Sequence, residues 1–192
     1  MPLIASKTII TSLSLFHITL AFFFLTNPSR IHDQVLVYVL GESMGMPVAR
    51  GFDAQSSPLA FLAAVLAMFG LSDLFALSMP EELASLYYWG VQVPTTAPLR
   101  SLFSMLLVFY SYFFGPSSPV YGSAPRSTSR PPSANSTSYR SSTWGGDGLK
   151  NRIFFTFIFL EMITWFWIWV TLREERHGIV ERMRKQRSRS EK

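Results

Sequence analysis

The sequence predicts an all-α integral membrane bundle of about four transmembrane helices, with short interfacial helices and a disordered Ser/Pro-rich loop. Three observations carry this reading. Apolar residues are gathered into long runs, not spread in the periodic pattern of a soluble core. Charged residues make up only 15% of the chain, and the excess behind its net charge of +5 lies mostly outside those runs. Residues 116–150 are dense in Ser, Pro, Thr, Gly and Arg, with too little apolar surface to offset the entropy of ordering. Cysteine is absent, which excludes disulfides and a thiol nucleophile.

The first span is expected over residues 8–26, ended by Asn27-Pro28. Its run is longer than a signal-peptide core and no small-x-small cleavage site follows, so an uncleaved span is preferred to a signal peptide. Residues 31–47 are mixed, with Ile31, Val35, Val39 and Leu40 near helical spacing among Asp33, Gln34 and Glu42. This predicts a helix lying at the interface. The second span covers 58–79 and carries Ala60, Ala63, Ala67 and Gly70, a small-residue stripe that lets another backbone approach closely. Ser78-Met79-Pro80-Glu81 has capping-box spacing, and Tyr87, Tyr88 and Trp89 suit headgroup level, so a surface helix is expected there. A third span is placed at 98–115. The fourth, 151–172, is crowded with Phe and Trp, and its three C-terminal Trp are read as an interface belt. The tail, 173–192, contains eight Lys or Arg.

With four spans both ends share one side. The compact basic tail outweighs the diffuse charges of the opposite loops and places both termini in the cytosol. Charge without a reading surface excludes nucleic acid as the expected partner. Membrane lipids fit better, as do other membrane proteins or a second copy of the chain. Arg182-x-Arg184 and Arg187-x-Arg189 look like arginine-based retrieval signals of the endoplasmic reticulum. Asn135-Ser136-Thr137 is a glycosylation acceptor in the loop assigned to the lumen.

Four ionisable residues, His17, Asp73, Arg100 and Glu161, fall within or at the ends of the spans. Charge at that depth is expensive and calls for a partner. Asp73, about 9 Å from the end of its helix, can be reached by Arg100, which opens the next span from the same side. Glu161 and His17 sit at similar depth near the midplane, where the two could share a proton. Their spacing alone does not say whether they meet. No metal-ligand spacing, phosphate loop or nucleophile–base pattern exists in the chain, so neither an enzyme nor a cofactor is expected.

Several of these segments, in order, resemble a known family. Phe22-Phe23-Phe24-Leu25-Thr26-Asn27 ends the first span, Gly70-Leu71-Ser72-Asp73-Leu74 closes the second and Pro98-Leu99-Arg100 opens the third. Glu161 then leads through an aromatic stretch into Leu172-Arg173-Glu174-Glu175. Together they resemble the fungal family named for increased loss of mitochondrial DNA, over the four spans. The resemblance implies a multi-span protein of the endoplasmic reticulum whose loss leads indirectly to loss of mitochondrial DNA. It supplies a location and a phenotype without a mechanism. The chain departs from the family pattern in its long Ser/Pro loop and its basic tail. The expected function is thus a non-enzymatic membrane protein supporting organelle homeostasis, with an ion channel or transporter using Glu161 and Asp73 as the alternative.

Overall fold

The computed structural model describes residues 4–48, 51–52, 54–78, 95–114 and 145–190. Among them no strand occurs. The elements are α1 (Ser6–Thr26), α2 (Ser29–His32), α3 (Val35–Ser43), α4 (Ser57–Leu77), α5 (Ala97–Phe113), a 3-10 turn (Gly145–Leu149) and α6 (Arg152–Ser190). The surface helix expected after Ser78, with Tyr87, Tyr88 and Trp89, and most of the Ser/Pro-rich loop, with Asn135, lie outside the described residues.

Among the described residues three helices are long and apolar enough to cross a membrane: Ser6–Thr26, Ser57–Leu77 and Arg152–Glu175. The third expected span, α5, is a shorter apolar helix of 17 residues, about 26 Å at 1.5 Å per residue. The helices Ser6–Thr26, Ser57–Leu77 and Ala97–Phe113 overlie the first three expected segments, while the last runs on as helix well past Leu172, to Ser190.

α1 and α4 form the most extensive helix pair, antiparallel, and α5 packs against α6. One apolar cluster joins Ile9, Ile10, Leu13, Leu77, Ala97, Trp165, Ile168 and Leu172. The other joins Ala21, Phe24, Ile31, Val37, Leu59, Ala63, Leu66 and Ile153. These memberships give the directions: α1 and α5 run from the first cluster's level, α4 and α6 run back toward it. The far end of α5 is fixed by Ser111, whose hydroxyl donates to the Leu149 carbonyl at 3.3 Å, just before α6 begins.

The small-residue stripe of α4 is realised with one change. Ala63 and Gly70 are buried and Ala67 partly so, but Ala60 is exposed, because it sits about 100° around the helix from the centre of the buried face. Gly70 is required where it stands. A Cβ there would lie 2.7 Å from the Ser14 carbonyl oxygen and 2.8 Å from Ile18, so the two backbones meet where only hydrogen fits.

The interfacial helix differs from expectation in phase. It is broken at Asp33 and Gln34, so Val35 and Val39 face outward while Val37 and Gly41 turn toward α6. The reason is Gly41: a Cβ there would come within 2.8 Å of three carbons of the Arg152 stem, so the glycine lets α3 close onto that side chain.

The loop's C-terminal end is also more ordered than its composition suggests. Asn151 caps α6, accepting from the Phe154 amide at 2.9 Å, while its own amide group donates to the Gly148 carbonyl at 2.7 Å. Past Leu172 the basic tail continues α6 as helix to Ser190, as its Glu, Arg, Met, Lys and Gln favour.

Candidate functional site

The four ionisable residues named from the sequence form two pairs, His17 with Glu161 and Asp73 with Arg100. His17 on α1 and Glu161 on α6 are 4% and 8% exposed, and the imidazole Nε2 is hydrogen-bonded to the Glu161 carboxylate. That carboxylate's other oxygen accepts from the indole N–H of Trp165 at 2.8 Å, one turn further along the same helix. Each oxygen of the acid therefore has a hydrogen-bond partner, which is what an intramembrane carboxyl needs in the absence of water.

Asp73 on α4 faces Arg100 on α5 at 3.6 Å, an ion-pair distance longer than a hydrogen bond. The aspartate is 6% exposed. The arginine side chain reaches outward, as its long stem allows. Its guanidinium lies 4.5 Å from the centroid of the Trp165 ring, a cation–π arrangement.

Trp165 is thus the joint of the site: its N–H serves Glu161 while its face serves Arg100. It is completely buried, so the reading of all three C-terminal Trp as a surface belt is corrected for this one. Trp167 is half exposed and remains compatible with a belt. The signal that could have separated them is spacing: Trp165 follows Glu161 by four, on one helix face. Gly70 lies one turn before Asp73 and packs on the His17 turn, so the same close helix approach places both pairs.

Two further polar fastenings were not singled out by the sequence reading. Arg152, at the start of α6, pairs with Glu42 of α3 at 2.6 Å and donates to the Met46 carbonyl at 2.8 Å, and its backbone N–H donates to the Pro47 carbonyl. A base at a helix N-terminus opposes the macrodipole, and that mismatch was the available clue. At the opposite end Glu175 accepts from the Ser6 backbone N–H at 3.0 Å and from its hydroxyl at 2.8 Å, a carboxylate seated on the first turn of α1. Asn135 lies outside the described residues.

Buried ionisable groups on three helices, joined by a part-exposed arginine from a fourth, on a scaffold with three apolar helices long enough to cross a bilayer, are the construction of a membrane protein. A family model described as increased loss of mitochondrial DNA protein 1 matches residues 4–182, and the chain belongs to that family. No curated protein and no solved structure matches it. Family and apolar helices together fit a membrane protein linked to mitochondrial DNA maintenance.

Proposed function

We propose that the chain is a non-enzymatic protein of the endoplasmic reticulum membrane that works by associating with lipids and with other membrane proteins. Its support of mitochondrial DNA is then indirect, through organelle homeostasis. It crosses the bilayer four times with both ends in the cytosol. In support of the fourth crossing, α5 starts at the level of Leu77 and Leu172 and its Ser111 lies against Leu149, just before α6 begins.

The observation that carries the scaffold reading is the state of Glu161. Transport requires the acid to face a hydrated path. Here it is buried, with one oxygen on His17 and the other on Trp165, and it does not line the apolar cavity next to it. The alternative, an ion channel or transporter, keeps in its favour that ionisable groups of four helices gather in one layer.

Location and orientation are tested at Asn135. The proposal expects this residue to carry a glycan, so glycosidase treatment increases gel mobility and Asn135→Gln abolishes the change. Unchanged mobility, together with labelling of a tag beside Asn135 from the cytosolic side of intact vesicles, overturns the orientation.

A further inference from the structure

A cavity of about 360 Å³ opens between α1, α3, α4 and α6, within the ~300–1,000 Å³ range of small-ligand pockets. Its wall is mostly apolar, with Thr19, Arg30, Gln34 and Thr156 as its polar members. Arg30, on α2, and Gln34, between α2 and α3, line it together with the apolar side chains. The Arg30 guanidinium is exposed and has no ion-pair partner among the described residues. Thr156 also lines the cavity, and its hydroxyl is buried without a hydrogen-bond partner.

The cavity has a direction. From Ile153 it extends along α6 to Leu160, about 10 Å of helix axis, most of the ~15 Å depth of one leaflet. Its inner end, at Phe16 and Leu160, adjoins His17 and Glu161 in sequence, so it stops at the polar layer. An apolar slot most of a leaflet deep, with a free cation at the headgroup end and one unpartnered hydroxyl partway in, matches one kind of molecule; the other lining hydroxyl, Thr19, already donates to the Leu15 carbonyl at 2.8 Å.

We propose that this cavity holds an acyl chain of an anionic glycerophospholipid, with the phosphate on Arg30, an ester carbonyl accepting from the Thr156 hydroxyl, and the chain running inward toward Phe16 and Leu160. A phosphate suits the planar guanidinium, which offers paired donors. The ester oxygen supplies what Thr156 lacks, since a buried donor left unpaired is costly. The chain fills a volume whose walls otherwise lose dispersion contacts. The inference rests on the reading of these helices as membrane-crossing and adds a lipid class and a site to it.

The purified full chain in a neutral detergent is titrated with palmitoyl lysophosphatidic acid, palmitoyl lysophosphatidylcholine and chainless glycerophosphate, and binding is followed by native mass spectrometry and thermal shift. The anionic lysolipid is expected to bind about fivefold more tightly than the choline one, the discrimination one basic residue gives near a membrane surface. Glycerophosphate should not bind. Arg30→Gln should erase the headgroup preference and Arg30→Lys restore part of it. Leu20→Trp, which fills the cavity, should weaken both lysolipids by more than about tenfold. Thr156→Val should weaken both while leaving the lipid-free melting temperature unchanged or raised. Equal affinity for the two headgroups, or undiminished binding in Leu20→Trp or Thr156→Val, overturns the proposal. If Leu20→Trp yields no folded protein, the near-isosteric Thr156→Val decides. Alkaline carbonate extraction separates the two levels: a chain that stays with the membranes but shows no headgroup preference sinks the cavity alone, whereas release sinks the membrane-crossing reading.

Discussion

The two ends of this bundle are fastened by opposite means. At the level of Ser6, Leu77, Ala97 and Leu172, large side chains pack into one cluster around a fully buried Trp165, and two ionisable pairs lie against that tryptophan. At the level of Phe24, Ile31, Leu59 and Ile153 the helices stand around a cavity of about 360 Å³, and the join depends on Arg152 reaching across to α3. The first end is closed by charges that have nowhere else to go. The second is held at its rim, where water can compete for the same hydrogen bonds. In a membrane this contrast matters, because apolar contact between helices gains little over contact with lipid. Where polar groups sit therefore decides which contacts are fixed and which are free to take a ligand.

The largest expected effect tests the closed end. Asp73→Ala or Arg100→Ala removes one half of a pair and leaves the other charge in low dielectric, at a cost of about 3 kcal/mol. Asp73→Ala should fall at or below that figure because the arginine it leaves unpaired is partly exposed, whereas Arg100→Ala strands a buried carboxylate. Each single variant should lower the steady-state level severalfold, and the double variant should recover part of the loss. A double-mutant cycle on melting temperatures checks this. Additive losses would mean that the pair does not couple.

That pair was legible in the sequence because charge inside an apolar run conflicts with lipid, and the conflict has few resolutions. His17 and Glu161 stood out for the same reason, although only their depth, not their facing, could be read: rotation about a helix axis is set by packing partners the sequence does not name. Arg152 escaped notice because it stands at a span boundary, where a base is ordinary. Trp165 was misplaced because a tryptophan near a helix end fits both a lipid belt and a buried hydrogen-bond donor. The apolar helices lie where hydrophobic length put them, since that is a coarse property, but the run of the last helix on to Ser190 did not show in it. The phase of α3 did not, because it depends on where Gly41 meets the stem of Arg152.

The next effect concerns the backbone approach beneath the polar layer. Gly70→Leu forces α4 away from the Ser14 carbonyl and should cost about 2 kcal/mol, with lower abundance and melting temperature. Ala60→Leu, on the exposed face of the same helix, should change neither measurably. If both variants behave alike, the small-residue stripe is compositional and not an interface. A weaker loss is expected at the open end. Arg152→Ala removes the Met46 and Glu42 contacts, but Glu42 is exposed and its share is screened, so about 1 kcal/mol is expected. Proteolysis of folded protein should accelerate near residues 44–48 more than elsewhere. Uniform acceleration would argue that Arg152 is not a local fastening.

The smallest expected effect is the one that separates the two functional readings. Glu161→Gln keeps an oxygen for the Trp165 N–H and a polar group toward His17, so each partner found in the structure can still be served. What it removes is the exchangeable proton and the negative charge. A packing element tolerates that change: abundance and mitochondrial DNA retention should stay near wild type, with a stability loss below about 1 kcal/mol. Glu161→Leu, which strands the buried Trp165 donor and the imidazole, should be clearly worse, at about 1–3 kcal/mol. A proton or ion path predicts another order. Both substitutions would then abolish function equally, while Glu161→Gln protein remained abundant and correctly located. Measuring protein level, mitochondrial DNA retention and ion flux in reconstituted vesicles for the two variants resolves the question. Flux in the wild type that Glu161→Gln eliminates at unchanged protein level would sink the scaffold reading, because a hydrogen-bonded joint has no use for a titrating proton.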